Sequence, residues 1–292
     1  MRYEGSWPRA VLEGAALLRL VLGPSSGRPE RFYTLLSTHN LLSEHSLFMN
    51  LGYWADSGVR TLDEASRALT ALLGQTARLG PGDEVLDVGF GFGDQILYWA
   101  GSFHPRRLTG LDLMPLHVEV ARERMVRAGL ASRVLLQEGS ATRMPFPARC
   151  FDKVVALESS FHFDTREDFF TEAWRVLRPG GRLALTDILP LPGHRFSRLF
   201  QAVWQIPGEN LYCREIYRAR LVAAGFEAVE VHSIREHVYE PLLRFLGRRL
   251  DAPELVHRMN PLLRLVSRPW WYARLVRSTF DYVLATGVKP LR

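Results

Sequence analysis

Apolar residues in the middle of the chain form short runs of strand length, and segments with helical spacing separate these runs. The runs predict strands near 83–88, 107–112, 133–137, 151–157 and 182–188. The segments between them predict helices near 93–101, 115–129 and 166–177. A helix near 212–224 and strands at 226–233 and 280–287 follow. Because such alternation is typical of a parallel sheet with helical crossovers, the sequence predicts an α/β fold.

The stretches outside this alternation are predicted to be mostly helical. Helices are expected near 8–22, 30–42 and 62–79, the last with a capping box formed by Thr61 and Glu64. We expect a helical cap over the carboxyl edge of the sheet, made of residues 1–60, 190–211 and 236–278. No composition shift marks a second domain, so residues 1–292 are predicted to form one domain around a cofactor-binding core at about 80–190.

A glycine-rich turn follows the first strand of this core. Gly89, Gly91 and Gly93 lie between that strand and the next helix, and strand, glycine turn and helix together are typical of nucleotide binding. The spacing is G-x-G-x-G, whereas a dinucleotide fingerprint needs G-x-G-x-x-G. Asp87 and Asp94 flank the turn, and two carboxylates there would repel a pyrophosphate. They favour a nucleotide that carries positive charge, such as S-adenosylmethionine.

A second acid supports a nucleotide site. Asp112 ends the second strand about 20 residues after the turn, the place where a carboxylate binds ribose hydroxyls. The alternative interpretation is a glycine turn with an unrelated acid.

Composition and charge exclude several classes. The chain of 292 residues is 47% hydrophobic and 23% charged, which is ordinary for a soluble globular protein. The net charge of +6 comes from arginines spread along the chain, so we expect no nucleic-acid partner. The only cysteines, Cys150 and Cys213, lack metal-ligand spacing, so no metal is expected. No signal peptide or apolar run of membrane-spanning length is evident, which predicts a cytoplasmic protein.

Several segments resemble one family in order. The motifs are FMNLGYW, VLDVGFGFGD, GLDLMPLHVEVARERM, EGSATRMPFP, FDKVVALESSFHF, VLRPGGRLALTDILPL and DYVLATGVKP. They resemble class I S-adenosylmethionine-dependent methyltransferases, in the branch of erythromycin-type macrolide sugar O-methyltransferases and of sterol and tocopherol C-methyltransferases. The resemblance implies a Rossmann-like sheet of seven strands, with the last antiparallel between the fifth and sixth. It also implies S-adenosyl-L-methionine as cofactor and S-adenosyl-L-homocysteine as product.

The resemblance also implies which residues bind the cofactor. The methionine end is assigned to Asp87, Gly89 and Gly91, and the ribose to Asp112. The adenine is assigned to Leu113 and Met114, and its edge to Ser140 and Ala141. Tyr53 is assigned as a lid over the cofactor. For Leu113 and Met114 the alternative is an ordinary core position. For Tyr53 the alternative is that it packs the N-terminal helices on the core.

Transfer of a methyl group to a hydroxyl needs a base, because a hydroxyl is a poor nucleophile. His162 follows the fourth strand and is the candidate base, and the resemblance assigns Asp187, at the end of the fifth strand, as its partner. The alternative is a structural histidine and an aspartate that caps a loop. The predicted function is therefore methylation of a hydroxyl oxygen on a glycosylated or hydrophobic small-molecule natural product.

Glu158 leaves a second chemistry open. It is assigned to orient the acceptor in O-methylation, but in the C-methyltransferases an acid removes a proton from a carbocation. Aromatic residues would stabilise that cation, and the candidates here are Tyr53, Phe161, Phe163 and Trp204. Phe161 and Trp204 are the candidate acceptor contacts. The alternative function is therefore C-methylation of a prenyl, quinone or sterol-like acceptor.

The insert at 236–278 combines many arginines with Pro269-Trp-Trp-Tyr272. Such a stretch is compatible with peripheral contact with a membrane, with an acidic acceptor, or with a solvated helix face packed on the core. Pairing of two copies through the helical caps, giving a homodimer, is also left open.

Overall fold

The computed structural model describes residues 43–56, 58–194, 196, 201, 206–253, 255, 264–265, 268–270 and 273–292. The helices predicted near 8–22 and 30–42, and the candidate acceptor contact Trp204, lie outside the described residues. All seven strands and the helices of the predicted core lie inside them.

A mixed sheet of seven strands forms the centre of the fold. The strands are β1 Glu84–Val88, β2 Arg107–Asp112, β3 Val134–Glu138, β4 Phe151–Leu157, β5 Leu177–Pro190, β6 Glu227–Ser233 and β7 Phe280–Val288. Their order is β3-β2-β1-β4-β5-β7-β6, and β7 is antiparallel to both of its neighbours. The predicted Rossmann-like sheet, with its last strand antiparallel between the fifth and sixth, is confirmed. β5 is longer than predicted at both ends.

Seven α-helices accompany the sheet in the described residues. They are α1 Leu62–Ala77, α2 Asp94–Ser102, α3 Pro115–Arg127, α4 Arg166–Val176, α5 Arg214–Ala223, α6 Tyr239–Arg249 and α7 Ala273–Thr279. The predicted capping box starts α1: Glu64 N–H donates to Thr61 Oγ1 at 3.2 Å, and Thr61 N–H donates to Glu64 Oε2 at 3.0 Å. α4 begins in a similar way, because Thr165 accepts a hydrogen bond from Asp168 N–H.

The core lies on both faces of the sheet, since successive strand residues point to opposite sides. In β4, Val155 packs with the residues of α1, α2 and α3, whereas Val154 and Ala156 pack with those of α4 and α5. Both faces are buried, which explains why the strands are apolar runs without polar alternation.

A third hydrophobic cluster packs α6 against α1 and the loop before it. Phe245 and Leu246 of α6 pack with Trp54, Leu62 and Ala65. This contact brings part of the 236–278 insert over the N-terminal side of α1. The complete cap and the single-domain organisation stay predictions. In the described ranges, no helix combines the length and the apolar character needed to cross a bilayer.

Candidate active site

The glycine turn between β1 and α2 requires backbone angles that favour glycine. The φ angles of Gly89, Gly91 and Gly93 are +80°, +57° and +84°. A Cβ on Gly89 would lie 2.4 Å from Cβ of Ser159, so the turn after β4 packs directly on it. Glycine therefore serves both the sharp turn and the close approach of two loops.

One pocket opens at the carboxyl edge of the sheet, where the sequence predicts the ligand site. The turn after β1, the end of β2, the loop after β3 and the turn after β4 line it, together with residues 47–51. Ten of the predicted site residues lie along it: Gly89, Gly91, Asp112, Leu113, Met114, Ser140, Ala141, Glu158, Phe161 and His162.

Asp112 lies at the base of this pocket with a fixed carboxylate. Its Oδ2 accepts a hydrogen bond from Gly91 N–H at 2.9 Å, and its Oδ1 accepts from Met114 N–H at 2.9 Å. His117 Nδ1 lies 3.1 Å from Oδ1. The acid and the glycine turn thus share one site, which favours the nucleotide interpretation over an unrelated acid.

The neighbours of Asp112 give the pocket an apolar wall. Leu113 is 57% exposed and lines the pocket, so the core interpretation is wrong for this residue. Met114 is buried and also lines the pocket. Ala141, in the loop after β3, is buried as well. An apolar wall beside a carboxylate suits a nucleoside, whose base is flat and whose ribose carries hydroxyls.

Of the two carboxylates that flank the glycine turn, Asp94 lines the pocket and Asp87 does not. Asp87 is fully buried, and Gln95 Nε2 donates to its two oxygens at 3.2 and 3.1 Å. Burial raises the pKa of Asp87 well above its ordinary value, the Gln95 hydrogen bond opposes the rise, and Asp112 adds to it. Gln95 lines the pocket in its place, so direct contact of Asp87 with the cofactor stays a prediction.

Asp94 is neutralised by a cation. Its carboxylate forms a bidentate ion pair with Arg124 of α3 and accepts a hydrogen bond from Leu47 N–H at 3.2 Å. The argument that Asp94 contributes free negative charge at the turn is therefore wrong. The carboxylate instead joins α2, α3 and the loop before α1.

Tyr53 is not among the lining residues. Its ring packs edge-on against His237 with centroids 5.3 Å apart, and the adjacent Trp54 packs against Phe245. These contacts join the loop to the 236–278 insert, whereas the helices predicted near 8–22 and 30–42 lie outside the described residues. Both the packing interpretation and the lid role of Tyr53 stay predictions. The same loop lines the pocket through Met49, Asn50 and Leu51, which lie within the recognised motif FMNLGYW but were not named as site residues.

Glu158, directly after β4, lies at the pocket with an unusual backbone. Its φ is +49°, a strained value for a residue other than glycine. Its Oε1 accepts hydrogen bonds from Leu51 N–H at 2.7 Å and from the Tyr282 hydroxyl. Burial raises the pKa of Glu158 to about 7, the two hydrogen bonds oppose the rise, and Asp187 adds to it. Near neutral pH this carboxyl can therefore take up or release a proton.

His162 lies in the 3-10 turn Ser160–His162 and lines the pocket. The imidazole is half-buried and packs on Phe161 with ring centroids 4.0 Å apart. The turn is tied to the strands on either side of it. Ser159 Oγ donates to the Val88 carbonyl at 2.7 Å, and Ser160 Oγ donates to Asp187 Oδ2 at 2.6 Å.

Asp187 is fully buried and forms an ion pair with Arg166. Arg166 Nε and Nη2 donate to its two oxygens at 2.8 and 2.9 Å, and the Tyr217 hydroxyl donates at 3.1 Å. With the bond from Ser160, these donors occupy most of the carboxylate. Asp187 therefore connects to the His162 turn through Ser160, while direct pairing with the imidazole stays a prediction.

The described side chains contain no group of three or more His, Cys, Asp or Glu residues arranged to hold a metal ion. The pocket contains the groups that S-adenosylmethionine requires: a glycine turn whose backbone lines it, a carboxylate at the end of β2 and an apolar wall. The residues present therefore fit this cofactor.

Known methyltransferases are similar to this chain. Residues 86–185 match a family model described as a methyltransferase domain. The chain is 37% identical over 287 residues to erythromycin 3''-O-methyltransferase from Saccharopolyspora erythraea, covering 91% of each protein. It is 40% identical over 246 residues to 27-O-demethylrifamycin SV methyltransferase from Amycolatopsis mediterranei, covering 82% of this chain and 89% of the relative.

Solved structures share the fold. The cyclopropane synthase MmaA2 from Mycobacterium tuberculosis superposes with a TM-score of 0.72 at 19% identity, covering 95% of this chain and 98% of that one. Geranyl diphosphate C-methyltransferase from Streptomyces coelicolor A3(2) gives a TM-score of 0.70 at 16% identity, covering 92% and 98%. At these identities the likeness concerns the fold alone.

Fold, pocket and relatives together define an S-adenosylmethionine-dependent methyltransferase of class I. Within that class, the chain belongs to the branch that contains the macrolide O-methyltransferases. The family and the cofactor expected from the motifs are thereby confirmed.

Proposed function

We propose that this enzyme methylates a hydroxyl oxygen on a small natural product, either a glycosylated or a hydrophobic acceptor. The observation that carries the proposal is His162, a half-buried imidazole on the same pocket as Asp112 and the glycine turn. Two relatives that the chain matches over most of its length are named for methylation of erythromycin and of a rifamycin.

The chemistry requires alignment and removal of one proton. When bound, S-adenosylmethionine supplies a methyl group activated by its sulfonium, and S-adenosylhomocysteine remains after the transfer. The acceptor oxygen forms a bond to the methyl carbon as the carbon–sulfur bond breaks, and His162 takes the hydroxyl proton. Glu158, in the same loop after β4, orients the acceptor, and Asp187 holds the His162 turn through Ser160. The apolar wall excludes water and keeps the reacting groups in line.

The test uses S-adenosylmethionine labelled at its methyl group with two acceptors, 3''-O-demethylated erythromycin and 27-O-demethylrifamycin SV. The position of the label is then read by NMR, and we expect a methoxy signal. His162→Ala should lower kcat by on the order of 10²–10⁴-fold, the contribution of a general base. His232→Ala is the control, because it removes an exposed imidazole, 3.5 Å from Glu230, that does not line the pocket. Equal turnover of the two variants would refute the base assignment.

A second candidate is C-methylation of a prenyl, quinone or sterol-like acceptor. The observation that favours it is Glu158, a carboxyl with a pKa of about 7 on a pocket that Phe161 and Phe163 also line. Aromatic rings stabilise a carbocation, and Glu158 would then remove its proton. A methyl signal on carbon, lost in Glu158→Gln but retained in His162→Ala, would favour this chemistry over O-methylation.

A further inference from the structure

We infer that Asn210 is a positioning residue for methyl transfer, because its side-chain amide holds the turn that carries His162. Asn210 Nδ2 donates to the carbonyl oxygen of Phe161 at 3.2 Å and to that of Phe163 at 2.8 Å. These two residues flank His162 in the chain. One amide group thus fixes the backbone on both sides of the candidate base. The role in catalysis rests on the proposed function of His162, whereas the contacts do not.

Asn210 is itself held firmly. It is fully buried in the 3-10 turn Gly208–Asn210, and its Oδ1 accepts a hydrogen bond from Arg166 N–H at 3.0 Å. Its carbonyl oxygen accepts hydrogen bonds from the Arg166 guanidinium and from Tyr212 N–H. Because Oδ1 faces a donor and Nδ2 faces two acceptors, only one orientation of the amide satisfies all of these groups.

The same arginine anchors the other end of the His162 turn. Arg166 forms the buried ion pair with Asp187, and Asp187 accepts the hydrogen bond from Ser160. The connections therefore close a ring that runs from the turn through Asp187, Arg166 and Asn210 back to the turn. We call these three residues the anchor. None of the three lines the pocket, and Asn210 reaches the reaction through the turn.

The ring matters for rate because the imidazole position depends on the backbone that the anchor fixes. A displacement of about 1 Å in a reacting group can lower the rate on the order of 100-fold. Loss of the Nδ2 donor would leave the carbonyl oxygens of Phe161 and Phe163 without that bond and allow the turn to shift. Asp112 is held separately, by hydrogen bonds from Gly91 and Met114. The expected defect is therefore in turnover, with binding of S-adenosylmethionine retained.

The test is a double-mutant cycle with Asn210→Ala and His162→Ala, using 3''-O-demethylated erythromycin as acceptor. Asn210→Ala alone should lower kcat on the order of 100-fold with the KM for S-adenosylmethionine unchanged. In the His162→Ala enzyme, Asn210→Ala should not lower kcat further, because the imidazole that Asn210 positions is absent. An equal loss in both backgrounds would overturn the inference and indicate a general structural role.

A second measurement needs no acceptor. Hydrogen exchange of the segment 158–164 should be faster in Asn210→Ala than in wild type. Thr70→Val is the matched control, since it removes another buried hydrogen bond, from Thr70 Oγ1 to the Ser66 carbonyl at 2.8 Å, away from the turn. If Asn210→Ala and Thr70→Val exchange alike in this segment, the inference is wrong. Should Asn210→Ala not fold, Asn210→Asp keeps the side-chain volume and the acceptor for Arg166 N–H but places an oxygen opposite the two carbonyls, so faster exchange of 158–164 is again expected.

The two measurements separate the inference from the proposed function. Full turnover of His162→Ala would refute the proposed base. Faster hydrogen exchange of 158–164 in Asn210→Ala would still support the inference that Asn210 stabilises the turn. Normal exchange together with a large His162→Ala defect keeps the base and overturns the role of Asn210.

Discussion

The backbone amide of Leu51 donates a hydrogen bond of 2.7 Å to Glu158 Oε1, joining residues 107 positions apart in the chain. This bond is one of several in which a carboxylate holds the loop before α1. Asp63 accepts from the amides of Glu44, His45 and Ser46, and Asp94 accepts from that of Leu47. Burial raises the pKa of Glu158 to about 7, whereas the pKa of Asp63 is lowered, because its hydrogen bonds outweigh its burial. The loop along the pocket is thus held by a group that titrates near neutrality.

The first prediction concerns the pH dependence of stability. The pKa of Glu158 is about 7 in the folded chain and near 4.5 when unfolded, so its protonated form stabilises the fold. This contribution is complete below about pH 4.5 and is lost as the pH rises through about 7. Glu158→Gln cannot ionise. Relative to this variant, wild type should lose on the order of 2 kcal/mol of unfolding free energy between pH 4.5 and 7.

Urea unfolding at a series of pH values measures this difference. Glu172→Gln is the control with the opposite sign, since the Arg175 hydrogen bond lowers the pKa of Glu172 despite partial burial. Stability from Glu172 is present above its unfolded pKa and is lost as the pH falls. Parallel pH curves for wild type and Glu158→Gln would contradict the prediction.

The second prediction separates two glycines of the same turn. Alanine at Gly89 would combine a positive φ with a Cβ 2.4 Å from the Cβ of Ser159. We therefore expect Gly89→Ala to lower the free energy of unfolding by about 2–5 kcal/mol. The Cβ of alanine at Gly91 would meet only the terminal methyl group of Met49, which can move away. Gly91→Ala should therefore lower the free energy of unfolding by about 1–2 kcal/mol. Thermal or urea unfolding compares them. Adding Ser159→Gly should recover part of the Gly89→Ala loss, and no recovery would show that the clash is not the cause.

The third prediction concerns cofactor binding. Asp112→Asn removes a charged acceptor on the pocket, and hydrogen bonds to charged groups contribute about 1.5–3 kcal/mol. The Kd of S-adenosylhomocysteine, measured by calorimetry, should therefore rise roughly 10–100-fold. Asp152→Asn is the control, because Asp152 also accepts a backbone amide hydrogen bond, from Glu84, but lies outside the pocket. Equal affinity in both variants would argue against Asp112 as a cofactor ligand.

The fourth prediction concerns the buried ion pair. Burial opposes the charge of Arg166, but the Asp187 carboxylate outweighs this effect and raises the pKa of the guanidinium. Arg166→Met would leave Asp187 charged and uncompensated, which typically costs about 3–5 kcal/mol. The double variant Arg166→Met with Asp187→Asn should recover part of that loss. Urea unfolding measures both, and a single variant within about 1 kcal/mol of wild type would contradict the prediction.

Local patterns were sufficient to predict the sheet and one side of the site. Apolar runs in β1, β4 and β5 are buried on both faces, and Asp112 and the glycine turn meet because parallel strands end at one edge. These inferences need only periodicity and chain order, which a single sequence contains.

Residues that depend on distant partners were not predictable in this way. Asp94 appeared free beside the turn, but Arg124, 30 positions later, neutralises it. Asp87 appeared to face the ligand, but Gln95 covers it. Asn210 carried no signal, because its role arises only when the segment after β5 folds against the turn after β4. In each case tertiary contacts decide the side chain's environment.

The position of β7 affects how the sheet is assembled. β7 lies between β5 and β6, and in the described sheet it is the strand that joins them. During synthesis the other six strands leave the ribosome first. One edge of β5 and the strand β6 therefore remain without their hydrogen-bonding partner until β7 is made. Unpaired strand edges recruit strands from other chains. We therefore expect nascent or truncated chains without β7 to aggregate, even when the cofactor half of the sheet is already formed.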